Sequence, residues 1–150
     1  MKSLRLVLCF ALLTLSCGDF PRDPDGTLKR VQRQGSFEVG LIIAPDDGDA
    51  RREAAAFLQA FGKSARARPR LVQGDAEPML HRLKQGELDL VIGRFEKKSP
   101  WAQWVTIGPP LRKEKQSKAE FHLAPVMQNG ENAWIALVER EVRNFAPAAR

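Results

Sequence analysis

The amino-acid sequence predicts an α/β fold, a three-layer α/β/α domain built around a mostly parallel sheet of four to five strands. Three observations lead there. Short apolar runs alternate with helical patterns in the order β-α-β-α-β, then an extended segment, then β-α; this order calls for right-handed crossovers and helices on both faces of a sheet. The stretch Gly86-Glu87-Leu88-Asp89-Leu90-Val91-Ile92-Gly93 is the sharpest local signal, a glycine that ends a helix and an apolar run that stops at a second glycine. The length of 150 residues supports one domain and not two.

Each element follows from its residues. Thr27 to Val31 starts a short helix with Thr27 as its cap, and Gly35 stops it. Phe37 to Ile43 is nearly all apolar after Glu38, as in a strand buried on both faces. Pro45-Asp46-Asp47-Gly48 is a turn, after which Asp49 caps a helix to about Ser64 with Ala54, Phe57, Leu58 and Phe61 on one stripe. Arg70 to Gln73 is a short strand. Asp75 caps the next helix, Pro78 is tolerated in its first turn, Met79, Leu80 and Leu83 face inward, and Gly86 terminates it. Leu88 to Ile92 is the third strand. Ser99 to Trp104 is a turn or single helical turn, Val105 to Leu111 is extended, and Arg112 to Lys118 is a polar, basic connector. Phe121 to Met127 is a strand, Asn129-Gly130 a turn, and Glu131 to Phe145 a helix with Trp134, Leu137, Val138 and Val142 inward.

The N-terminus stands apart. Lys2 and Arg5 precede the short apolar run Leu6 to Leu15, and Ser16-Cys17-Gly18 follows; residues 1–16 therefore read as a bacterial export signal. Leu13-Thr14-Leu15-Ser16-Cys17 is similar to a lipobox, which makes Cys17 the lipidated first residue of a mature protein held to a membrane in the periplasm or cell envelope. The alternative is ordinary secretion with Cys17 incidental. Residues 17–26, rich in Pro and Asp, read as a tether, and 27–146 as the folded domain. No later segment has the roughly 18 uninterrupted apolar residues of a membrane span.

Composition excludes several classes. With 43% hydrophobic and 28% charged residues the chain is globular and not disordered. The net charge is +6 and falls to +4, 22 basic against 18 acidic side chains, once Lys2 and Arg5 leave with the leader. That excess suits solubility or a membrane surface better than a nucleic-acid footprint, so no nucleic-acid partner is expected. Cys9 also leaves with the leader, so Cys17 is left alone; no internal disulfide is expected, and a cysteine nucleophile and a cysteine metal site are both excluded. His81 and His122 are too few and too far apart for a metal, and no cofactor motif is present.

These residues resemble a known family. Gly26-Thr27-Leu28-Lys29-Arg30-Val31 with Gly35-Ser36-Phe37-Glu38-Val39-Gly40, the Gly86 to Gly93 stretch, and Phe121 to Met127 followed by Gly130-Glu131-Asn132-Ala133-Trp134 are similar, in order, to the first lobe of bacterial extracellular solute-binding proteins of the amino-acid type, family 3, with the type II periplasmic binding fold. The resemblance implies a non-enzymatic, membrane-anchored, transporter substrate-binding-like protein of one lobe that binds an amino acid or related amine. It implies a permease or a sensor protein as partner, and a second copy as a substitute for the missing lobe. Three features depart from the family: the second lobe, normally inserted near Arg112 to Lys118, is absent; Trp101 stands where an Arg grips the ligand carboxylate; and the aromatic loop after the first strand is reduced to Pro45-Asp46-Asp47-Gly48. The other reading is a protein-interaction or sensory lipoprotein module whose solute site is vestigial.

In an open α/β sheet ligands sit at the C-terminal ends of the strands. The candidate ligand residues are accordingly Asp46, Asp47, Gly74, Arg94, Phe95, Glu96 and Trp101. Phe95 and Trp101 supply apolar area, and Arg94 is the nearby cation. Asp46, Asp47, Asp49, Asp75 and Glu96 disfavour an anion and point to a cationic or neutral ligand, although Asp49 and Asp75 also suit helix caps. Trp101 and Trp104 suit packing under the proline turn better than stacking on a ligand. The basic clusters Lys63 to Arg70 and Arg112 to Lys118 read as solvated faces or as contacts to anionic lipid.

Overall fold

The computed structural model describes residues 23–96, 98–111 and 121–148. The leader, Cys17 and the connector Arg112 to Lys118 lie outside these residues. The chain runs α1 (Thr27–Gln34), β1 (Ser36–Ile42), α2 (Gly48–Ala65), β2 (Arg68–Gln73), α3 (Ala76–Lys84), β3 (Leu90–Glu96), a 3-10 turn (Pro100–Gln103), β4 (Val105–Ile107), β5 (Phe121–Gln128) and α4 (Asn132–Ala148). The five strands make one sheet in the order β2-β1-β3-β5-β4. β1 pairs in parallel with β2 and β3, and β5 is antiparallel to both β3 and β4, so four strands point one way and β5 alone points back.

Alternation of side chains divides the core in two. On one face α1, α2 and α4 cover Phe37, Val39, Leu90, Ile92, Leu123 and Met127. Phe37, Phe61 and Trp134 meet edge to face there, with centroids 5.2–5.7 Å apart. On the other face α3 sets Met79, Leu80 and Leu83 against Val91, Phe95 and Val126. This is the single-lobe α/β/α architecture expected from the sequence. Trp134, Leu137, Val138 and Val142 are all buried on α4 as its periodicity requires.

Several boundaries differ from the sequence expectation, each for a local reason. The third strand does not stop at Gly93 but runs to Glu96, because β5 lies beside it and pairs Gly93 with Ala124, Arg94 with Leu123, Phe95 with His122 and Glu96 with Phe121. Helix α2 is capped by Asp47 and not Asp49: the Asp47 carboxylate accepts from the Ala50 N–H at 3.1 Å, and Asp49 lies inside the first turn, ion-paired with Arg52. Thr27 is the first helical residue of α1 and not its cap; Gly26 takes the cap position without a side-chain bond. Its work is done by the buried Glu131, whose two oxygens accept from the Asp25 and Thr27 N–H groups at 2.8 and 2.7 Å. Asp75 occupies the cap position of α3 but makes no capping bond.

Helix α3 ends as its Gly86 suggests. Gly86 has φ 74°, its N–H reaches Leu83 O at 3.1 Å, and the Glu87 N–H reaches Arg82 O at 2.9 Å, the paired bonds of a Schellman motif. Helix α2 ends the same way, but with Arg66 in the left-handed position at φ 55°.

Candidate functional site

Because four strands share a direction, their C-terminal ends gather on one edge of the sheet, beside the start of α2. The chain leaving β1 turns at Asp46 and Asp47. There Asp47 Oδ2 accepts from Arg94 Nε at 2.8 Å, which ties the start of α2 to the end of β3. The Ala50 N–H, then the Arg94 guanidinium, lower the Asp47 pKa below its ordinary 3.8. Arg51, which the sequence reading passed over, donates from Nε to Ala44 O at 3.2 Å and from Nη2 to Ile43 O at 3.3 Å, closing the last turn of backbone after β1. Its signal in the sequence is slight, a cation one helical turn after Asp47. Gly74 follows β2, and its N–H reaches Leu41 O at 3.3 Å; a Cβ there would stand 2.3 Å from Met79 Cε.

The structure brings Asp47 and Arg94 together and separates them from Phe95. The reason is the length of β3. Arg94 and Phe95 are successive strand residues and point to opposite faces. Arg94 lies towards α2, exposed; Phe95 is buried with α3. Glu96 is exposed at the strand end, and Asp46 is exposed on the turn. Trp101 is half-buried against the α3 cluster and meets the His81 ring edge-on at 5.7 Å, so it packs within the fold rather than standing open at the edge. Trp104 is 53% exposed with Lys84 Nζ 4.1 Å from its ring centroid.

On the Phe95 side the sheet is not fully covered. α3 lies over β1 and β3, and beyond it β5, β4 and the 3-10 turn enclose a cleft of about 610 Å³. Its walls are Phe95, Ala102, Val105, Ile107 and Ala124, with Glu96, Thr106, Asn129 and His122 as the polar groups. Apolar walls with a few convergent polar groups are a lining that small-molecule sites share. Thr106 donates to Asn129 Oδ1 at 2.7 Å. His122 Nδ1 is buried and has no hydrogen-bond partner among the described residues. A buried ring nitrogen left unpaired costs about 1–3 kcal/mol, which a bound group able to pair with it recovers. The sequence marks His122 only as a polar residue alternating with apolar neighbours; that β4 and the 3-10 turn leave its side open is a tertiary fact.

Among the described residues no three His, Cys, Asp or Glu side chains are grouped to hold a metal ion, and no helix is long and apolar enough to cross a membrane. No protein-family model matches the chain. No curated protein matches it either.

Solved structures do share the fold. The arginine-bound form of domain 1 from TmArgBP superposes with a TM-score of 0.64 at 11% identity, covering 77% of this chain and 97% of that one. An amino acid ABC transporter substrate-binding protein from Streptococcus pneumoniae Canada MDR_19A, bound to L-arginine, gives 0.66 at 8% identity over 82% of this chain and 93% of that one. The ancestral amino acid-binding protein AncCDT-1, a precursor of cyclohexadienyl dehydratase, gives 0.63 at 9% identity over 79% and 92%. At these identities the likeness establishes a shared fold, that of one lobe of an amino-acid-binding protein.

Proposed function

We propose that this chain is a non-enzymatic, membrane-anchored solute-binding module that takes an amino acid or related amine at the C-terminal edge of its sheet. The observation that carries the reading is the cleft beside Phe95, with exposed Glu96 at the strand end and the unpaired Nδ1 of His122 within it. Glu96, at the rim where β3 ends, supplies negative potential that favours the ligand ammonium, His122 pairs with a polar group of the ligand, and Phe95 with Ile107 shields its carbon chain. Asp46 adds negative potential from the neighbouring turn, while Asp47, Arg94 and Gly74 hold that turn in shape. Trp101 backs the site through its packing on α3.

The TmArgBP structure, of domain 1 in its arginine-bound form, supports a single lobe as the unit for this task. The anchor rests on the lipobox-like residues before Cys17, and a permease or sensor protein is the partner that such a module serves. The exposed Trp104 supports the second reading, a protein-interaction module with a vestigial site.

Calorimetric titration of the chain with L-arginine, L-lysine and putrescine, against L-glutamate as contrast, tests the reading. Binding of at least one amine in the millimolar range or tighter, weakened about tenfold or more by Glu96→Gln, is the expected result. No heat from any of them at 10-fold higher concentration, or binding untouched by Glu96→Gln, discards the assignment.

A further inference from the structure

A second surface lies far along the molecule, where the end of α2 meets the outer strand β2. A trough of about 550 Å³ runs between them, floored by Ala55, Leu58, Ala67 and Pro69 and edged by Leu71, which is 55% exposed. Lys63, Arg66 and Arg68 stand around it, all exposed, and none of the lining residues is acidic. Two of these cations suit the C-terminal end of any helix. That account leaves Arg68 and the exposed Leu71 unexplained.

We propose that this trough seats the domain on an anionic lipid surface, with Leu71 entering the headgroup layer and Lys63, Arg66 and Arg68 meeting lipid phosphates. Apolar area ringed by like charge is the composition of a peripheral membrane contact. The occupant is a surface rather than an added strand, because the free edge of β2 is blunted. The Arg68 N–H points inward to Gly35 O at 2.9 Å, so in a parallel strand the next residue's N–H would point outward, and that residue is Pro69. Nucleic acid fits less well, since the trough offers no aromatic ring for a base. Arg70, 3.6 Å from Glu38, is already paired and is not needed.

The test follows the Leu71 methyl signals by NMR in the full chain, so that residues 1–22 are common to every arm. Bicelles of phosphatidylcholine, with or without about 30% phosphatidylglycerol, carry a trace of lipid with a nitroxide on its headgroup. Leu71 should broaden in the anionic bicelles and not in the neutral ones, while the buried Leu88 does not, and about 0.5 M salt should reverse the effect. Arg66→Glu with Arg68→Glu should lower the apparent affinity of this contact at least about tenfold, and Leu71→Ser about fivefold in bicelle-induced shifts of Arg68, with both variants melting as folded proteins. Equal broadening in neutral bicelles, none in either, or a Leu71 shift with duplex DNA but not with lipid would overturn the proposal. Amine binding at the Phe95 cleft is measured separately, so either result stands without the other.

Discussion

Arg30 Nη2 meets Asp89 Oδ1 at 2.5 Å, joining the first helix to the strand entry 59 residues on. Asp89 is 5% exposed and uses the rest of its polar atoms as well: Oδ2 accepts from the Glu38 N–H at 2.8 Å, its own N–H donates to Glu38 O at 2.9 Å, and its carbonyl accepts from Trp134 Nε1 at 2.8 Å. The acid in the middle of the Gly86 to Gly93 stretch is therefore a structural hub joining α1, β1, β3 and α4. Asp89→Ala should cost about 2–4 kcal/mol, since it leaves a backbone N–H and a guanidinium unpaired, and the urea midpoint measures it. A loss under about 1 kcal/mol would contradict the role.

Glu131 ends the chain's first excursion by holding its beginning. Residues 23–25 are bound to it and its neighbours: Asp23 accepts from the Ala133 N–H at 2.7 Å and Asp25 from Gln128 Nε2 at 2.9 Å. Glu131→Ala should destabilise by about 2–3 kcal/mol and expose the Asp25 and Thr27 amides to rapid hydrogen exchange. Unchanged protection of both amides would refute the capping role.

Asp47 gives the acid limb of stability a specific contributor. Its pKa is lowered in the folded state below 3.8, so its stabilisation is fully present above that pH and is lost as pH falls through the folded value. Asp47→Asn should narrow its stability gap to the parent as pH drops below about 3.8, read from denaturation midpoints at successive pH values. A gap that widens on acidification would be the wrong sign.

Arg66 carries backbone strain that a glycine relieves. It is the one non-glycine with positive φ among the described residues, at φ 55°. Arg66→Gly should stabilise by about 1 kcal/mol, seen as a rise in Tm of a few degrees. Gly62→Ala, one turn earlier, should act in the opposite sense, because its Cβ would lie 2.8 Å from Ala67 O, the carbonyl of the residue whose N–H donates to Gly62 O in the helix-ending turn.

Gly93 is needed for close approach of β1 and β3. A Cβ there would lie 2.9 Å from Ile42 Cβ and 3.1 Å from Ile42 O. Gly93→Ala should cost about 1–3 kcal/mol, with the loss visible in the unfolding rate or the midpoint.

The order of helices and strands was readable because period and punctuation agreed: the apolar stripe of α2, the glycine ending α3 and the inward face of α4 each stand in the residues themselves. The end of β3 was not, because Gly93 reads as a stop until β5 is known to lie beside it. The added residues of β3 send Arg94 and Phe95 to opposite faces, which adjacent positions beyond a strand end need not do. The cap of α2 was misplaced by two residues because Asp46, Asp47 and Asp49 are chemically alike, and only the path of the chain leaving β1 selects Asp47. His122 could not be valued from sequence, since its buried nitrogen becomes unpaired only through the layout of β4 and the 3-10 turn.

The lone reversed strand also sets an order of assembly. Among the described residues β4 has no neighbour in the sheet except β5, and Leu111, already past β4, bonds through its N–H to Leu123 O. Nascent chain emerging as far as Leu111 therefore has three strands able to assemble and a fourth with nothing to join. Only when Phe121 to Gln128 slots in does the last piece acquire a berth, so β4 docks no earlier than β5 although it is made before it.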